Sequence, residues 1–269
     1  MLTFQKKSFL IALFTFYFLN HFQFYTVFAF ETDSYVSQDL KITIQEVREE
    51  NQRYWIVEVI GSEGAPLRGF QANQQVEIAC EEDFVSNTTE TVSSMASRVG
   101  AILAINASGF HKHNGIKPMG IVIRNQDIIS KDNSFKKESL SVMPNGNLKF
   151  YKLRKRENID DLSIVNNFNF GPVLLRNGDR VNFEDTSRHP RTAIGQISNH
   201  HYLIVIAEGR LDDAIGMTFK ELQDIFIDYD CKNAYNLDGG GSTTLYFKGN
   251  ILNRLSDGSE RAVIDMIYF

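Results

Sequence analysis

Residues 236–247 read Asn236-Leu237-Asp238-Gly239-Gly240-Gly241-Ser242-Thr243-Thr244-Leu245-Tyr246-Phe247: an apolar lead-in, one carboxylate, three consecutive glycines, hydroxyl residues, then β-forming residues again. This order predicts strand, tight loop, strand. Glycine reaches positive φ and lets other atoms close to the backbone, so such a loop can aim several N–H groups at one point. A phosphate or a sugar suits that point. A glycine-rich turn without a ligand has the same composition, so the neighbouring sequence has to decide.

Working outward, Thr218 and Glu221 form a capping box, Met217 and Leu222 a hydrophobic staple, and Phe219, Leu222, Ile225, Phe226 and Tyr229 one apolar face. A helix there packs on a sheet and delivers the chain through Cys231 and Asn233 into the strand ending at Asp238. On the other side, Leu245–Phe247 is a strand, Lys248-Gly249-Asn250 a turn, Asn253–Arg261 a polar loop, and Val263–Phe269 a closing strand. Upstream, Arg188-His189-Pro190-Arg191-Thr192 enters a strand at Ala193 and Ile194, which turns at Asn199 and returns over Tyr202–Ala207 to Glu208-Gly209-Arg210. Arginines at strand edges match phosphate oxygens in bidentate fashion, and they also make ordinary surface ion pairs.

Further upstream, Val92, Met95, Ala96 and Val99 fall at helical spacing before Gly100, and the apolar run Ala101–Ile105 ends at Asn106-Ala107-Ser108-Gly109-Phe110. An amide there either serves a site loop or caps a turn. Gly120–Ser130 and Ser141–Tyr151 read as hairpins turning at Asn125-Gln126-Asp127 and Asn145-Gly146-Asn147, and Asn177-Gly178 marks another turn. Leu40, Ile42, Ile44 and Trp55, Val57, Val59 alternate as a β-ribbon, Gly61–Gly69 reads as loop, and Lys152–Glu157 as a solvated charge run. Strands outnumber helices and most are hairpin-linked. The predicted fold is α+β, with mixed or largely antiparallel sheets and few flanking helices, in a single domain over 30–269.

The chain has 269 residues, 43% hydrophobic, with a net charge of -5. That is enough for a sizeable core and gives no footprint for nucleic acid, whose binders concentrate Lys and Arg. Lys6 and Lys7 precede an apolar run from Ser8 to Leu19, broken by Asn20, His21 and Gln23 ahead of Val27-Phe28-Ala29. Residues 1–29 therefore read as a signal peptide or N-terminal anchor, with membrane attachment through residues 8–28 if they are not cleaved. The expected location is secreted or cell-surface. Cys80 and Cys231 allow one disulfide or two buried thiols.

Asn236 to Thr243, with His189-Pro190-Arg191-Thr192-Ala193-Ile194-Gly195 and Ala104-Ile105-Asn106 before it and Ser256-Asp257 and Glu260-Arg261 after it, resembles the phosphodiester glycosidase family. The matching blocks run in order from about Ala101 to the C-terminus. Two departures stand out: Glu208-Gly209-Arg210 where family members often carry Asp-Gly-Arg, and Ala107-Ser108-Gly109-Phe110 where relatives often carry Gly-Gly-Phe-Phe. The resemblance implies hydrolysis of a sugar 1-phosphodiester through an oxocarbenium-like transition state, on a phosphorylated glycan, without a cofactor or metal. Asp238 is then the nucleophile or the base activating water, Glu208 the second carboxylate, and Arg191 a phosphate grip together with the N–H groups of Gly239, Gly240, Gly241 and Ser242. Asn106, Thr192, Thr243, Arg210 and Arg261 complete the expected substrate contacts. Two other readings stay open: a metal-dependent phosphodiesterase using His111, His113, His189, His200 and His201 with Asp238, and a non-catalytic phosphoglycan-binding protein.

Overall fold

The structure, a computed structural model, describes residues 28–72, 88–111, 116–132, 135–153, 159 and 162–269. The first strands are β1 (Phe28–Val36), β2 (Leu40–Glu49), β3 (Gln52–Gly61) and β4 (Arg68–Gln71), followed by helix α1 (Val92–Val99). Next come β5 (Leu103–Asn106), β6 (Phe110–His111), β7 (Lys117–Pro118), β8 (Ile121–Arg124), β9 (Asp127–Lys131), β10 (Ser139–Val142) and β11 (Leu148–Tyr151). Then follow β12 (Asn166–Phe168), β13 (Val173–Arg176), β14 (Asp179–Arg180), β15 (Arg191–Ser198), β16 (His201–Ala207) and helix α2 (Phe219–Asp228). The chain closes with β17 (Asn233–Asn236), a 3-10 turn (Gly240–Ser242), β18 (Leu245–Phe247), β19 (Asn250–Ile251) and β20 (Asp265–Tyr268).

An eight-stranded sheet has the order β1-β2-β3-β16-β15-β17-β13-β14, and two five-stranded sheets have the orders β19-β18-β5-β20-β4 and β11-β10-β12-β8-β9. Alternation explains the large sheet: Ile42 and Ile44 pair opposite Val59 and Val57, and all four are fully buried. One face of this sheet meets both smaller sheets in a single core, where Ile194, Ile204 and Tyr235 join Leu103, Ile105 and Leu245, and also Leu140 and Phe168. The other face carries α2, whose Phe219, Leu222 and Phe226 cover Ala193, Leu203 and Val205. Helix α1 covers the outer face of the sheet containing β5. The result is one domain.

Both predicted helices form with their caps. Thr218 and Glu221 close the capping box on α2, and Gly100 ends α1 in the left-handed region. Every strand pairing among the described residues is antiparallel, so the largely antiparallel alternative holds and two helices flank a sheet-dominated domain. Part of the expected loop Gly61–Gly69 is strand instead. β4 pairs with β20, and Gly69 is required there because a Cβ would meet the Phe168 ring and the Arg124 side chain. β1 begins at Phe28, inside the expected leader. The rest of that leader, Cys80, His113 and most of the 152–157 charge run lie outside the described residues, whereas Cys231 is a buried thiol.

Candidate active site

The site forms where β15 begins and its two neighbours end. Antiparallel pairing puts Ala207 of β16 opposite Arg191 and Asn236 of β17 opposite Ala193, so the chain leaves both neighbours at one edge of the sheet. β5 of the small sheet ends at the same place with Asn106, which is fully buried. Its amide donates to Asp238 O at 2.6 Å, and its Oδ1 accepts from Thr192 Oγ1 at 2.8 Å and Thr244 N at 3.1 Å. Asp238 N donates to Ala107 O and Leu237 N to Thr192 O, both at 2.8 Å. The backbone under Asp238 is thereby fixed from two sheets at once.

The Asp238 carboxyl is partly exposed, and burial pushes its pKa up to about 6. Ser242, the Gly239 N–H at 3.0 Å from Oδ1, and the charge of Arg261 pull it back down, while Asp265 pushes it further up. A carboxyl that ionises near neutrality suits proton transfer or attack at a sugar carbon. Ser242 Oγ and Thr243 Oγ1 beside it are buried and have no hydrogen-bond partner of good geometry.

Each glycine of the loop lacks room for a side chain for a different reason. A Cβ on Gly239 would lie 2.6 Å from Pro190 O. One on Gly240, at φ 60°, would lie 3.2 Å from both terminal nitrogens of Arg210, and one on Gly241 would collide with the Arg261–Asp257 ion pair. The glycines let two guanidinium groups approach the backbone. The expected phosphate cradle of N–H groups is largely committed instead: Gly239 to Asp238 Oδ1, Gly240 to Pro190 O at 2.9 Å and Ser242 to Gly239 O at 3.2 Å.

Two expected catalytic residues are occupied elsewhere. Arg191 is buried with its Nε on Met217 O and Nη2 on Ser187 O, both at 3.0 Å, and its guanidinium carbon 4.0 Å from the centre of the Phe219 ring. Strand alternation sends Thr192 toward Asn106 and Arg191 toward the α2 face. Glu208 is buried and held by Arg254: Oε1 accepts from Arg254 N at 2.6 Å and Oε2 from Arg254 Nε at 2.8 Å and Nη2 at 2.7 Å. It anchors the 253–261 loop, which Asn253 also ties to Thr243 O and Leu245 N. That loop carries Arg261 over Gly241.

Arg210 stands differently. It is exposed, at φ 60°, and enters no ion pair among the described residues, with its guanidinium against Gly240. Beside it, burial and the charges of Arg191 and Arg210 push His189 below its ordinary pKa, so the imidazole is neutral at pH 7. Among the described residues no three His, Cys, Asp or Glu side chains converge as metal ligands, and His201 bonds Glu58 at 2.7 Å. Sequence reasoning missed Asp265, fully buried in β20. It pairs with Arg124 and accepts from Ser108 N at 2.6 Å, fixing the loop after Asn106. A charged residue inside an apolar closing strand was the available signal.

A family profile described as phosphodiester glycosidase matches residues 99–269, the span that holds Asn106, Asp238, Arg210 and Arg261. The chain belongs to the phosphodiester glycosidase family. Its relatives include an SPbeta prophage-derived uncharacterised protein of Bacillus subtilis, 33% identical over 68% of this chain and 30% of the relative. The N-acetylglucosamine-1-phosphodiester alpha-N-acetylglucosaminidase of Mus musculus is 24% identical over 62% of this chain and 36% of the relative. The chain thus spans about a third of the length of these curated relatives. Among solved structures, the zebrafish N-acetylglucosamine-1-phosphodiester alpha-N-acetylglucosaminidase catalytic domain superposes with a TM-score of 0.69, 19% identity, and 91% and 87% coverage of the two chains. A hypothetical protein from Synechocystis superposes at 0.64, with 17% identity over 86% and 62%. Both structures share the fold described above.

Proposed function

We propose that this protein is an exported hydrolase that cleaves a sugar 1-phosphodiester at its glycosidic bond, on cell-surface or extracellular phosphoglycans. Family membership supports hydrolysis at such a linkage, and the name of the mouse relative supports a sugar 1-phosphodiester as substrate. The observation that carries the reading is Asp238, a carboxyl ionising near pH 6 on a backbone fixed by Asn106 and Ala107, with the guanidinium groups of Arg210 and Arg261 against the next turn of chain. Lys6, Lys7 and the apolar run after them support export, with attachment through residues 8–28 where they are retained.

Arg210 and Arg261 hold the phosphate, and Ser242 and Thr243, whose hydroxyls have no partner of good geometry, offer them to the sugar or to phosphate oxygens. Asp238 attacks the anomeric carbon to give a glycosyl ester that water then hydrolyses, or takes a proton from a water that attacks that carbon directly. The bond from that carbon to the phosphate oxygen breaks, and the phosphate monoester leaves with the electron pair. Phosphate is a weak base, so departure needs little protonation. Water supplies the oxygen that ends on the sugar. Hydrolysis in heavy-oxygen water tests this reading: label in the free sugar is expected, and label in the phosphate product overturns it in favour of attack at phosphorus.

A further inference from the structure

We infer that a second glycan-binding subsite, for a negatively charged sugar-phosphate chain, lies at the end of β15 opposite Asp238. A cleft of about 460 Å³ opens there between the β10–β11 hairpin and the strands β13, β15 and β17. Its lining includes the cations Lys149, Arg176 and Lys232, the amide side chains of Asn147, Asn177 and Asn199, and no carboxylate. Arg176 pairs with Glu138 from outside the cleft, while Lys149 and Lys232 are exposed and enter no ion pair among the described residues. Tyr151 adds a partly exposed ring. Unpaired cations select an anion, whereas amides and an aromatic edge are what sugar hydroxyls and ring C–H groups require.

The walls are preformed. Gln196 donates to Gly146 O at 3.0 Å and accepts from Leu148 N at 2.8 Å, so it ties the hairpin to β15 at the base of the cleft. Asn233 accepts from Asn177 N at 3.3 Å and donates to Leu148 O at 3.3 Å. Gln196 and Thr192 lie on one face of β15, because residues four apart on a strand point the same way. From Asn233 to Asp238 the chain covers roughly 16 Å at ~3.3 Å per residue. Ile194, between Gln196 and Thr192, is fully buried in the core, so a ligand that touches both the cleft and Asp238 has to be longer than this separation, as a polymer is and a small diester is not.

The inference rests on the proposed substrate class, and its test separates the two. Binding of a short N-acetylglucosamine 1-phosphate oligomer is measured by calorimetry with the Asp238→Asn protein, alone and combined with Lys149→Glu and Lys232→Glu. Both lysines are exposed, and equal melting temperatures check the fold. The expected result is about a tenfold or greater loss of oligomer affinity, with hydrolysis of a monomeric sugar 1-phosphodiester by Lys149→Glu/Lys232→Glu unchanged. Equal oligomer affinity in both proteins overturns the subsite. Inorganic polyphosphate binding as tightly as the oligomer overturns the glycan assignment. A protein that binds the oligomer through these lysines yet releases no sugar from any diester keeps the subsite and removes the proposed activity.

Discussion

Glu208 and Asp238 follow β16 and β17, the two strands that flank β15 in one sheet, and both look catalytic from their positions in the sequence. Their surroundings are opposite. Glu208 is buried with both oxygens filled by Arg254, while Asp238 is partly open and takes one hydrogen bond of good geometry, from Gly239. A buried carboxylate committed to an arginine is poorly placed to meet a substrate and is suited to anchoring. An under-satisfied one, its pKa raised by burial, retains reactivity at the cost of stability.

The sharpest way to break this contrast is Asp238→Asn, for which hydrolysis of a sugar 1-phosphodiester should fall roughly 10²–10⁴-fold. Near-normal turnover would remove Asp238 from the mechanism. Glu208→Gln should act on folding instead. Losing the charge that meets Arg254 costs about 1–3 kcal/mol in urea unfolding, and the folded fraction should turn over normally. Arg210→Ala and Arg191→Ala form a second pair. The first should raise KM about tenfold, or ~1.4 kcal/mol, with unchanged melting. The second should lower stability by about 1–3 kcal/mol through its lost carbonyl and ring contacts.

The smallest effects lie in pH. kcat/KM should fall as pH drops below about 6, because protonated Asp238 neither attacks nor accepts a proton. Stability should move oppositely. The folded pKa lies above the ordinary 3.8, so the folded state binds the proton more tightly, and the penalty of ionisation appears as pH rises from about 4 through about 6. Asp238→Asn removes that penalty and should melt higher at pH 7.5, by less than about 2 kcal/mol after screening, but not at pH 3.5. Equal melting curves at both values would mean that the carboxyl is solvated.

Local rules carried much of the fold. Thr218 and Glu221 mark α2, Gly100 ends α1, and the Asn125-Gln126 and Asn145-Gly146 turns sit where β8–β9 and β10–β11 reverse. Asp238 stands out in the sequence only with its neighbours, because a carboxylate before three glycines also fits a plain turn. What stayed hidden depended on distant partners. Arg191 and Thr192 are adjacent, and only packing against α2 shows which of them faces Asn106. Glu208 is explained by a residue 46 positions later, Gly239 by the carbonyl of Pro190, and Gly240 and Gly241 by guanidinium groups on two other loops. Arg68 and Gly69 read as the end of a loop because the partner of their strand is the last strand of the chain.

Asn106 makes the site a sensor of assembly. Its three hydrogen bonds reach the chain after β17, the start of β15 and the chain before β18, so the carboxyl of Asp238 is in register only while the large sheet and the small one are docked. A molecule with only one of the two sheets in place is expected to lose the site. Heat inactivation and global melting should therefore share one midpoint.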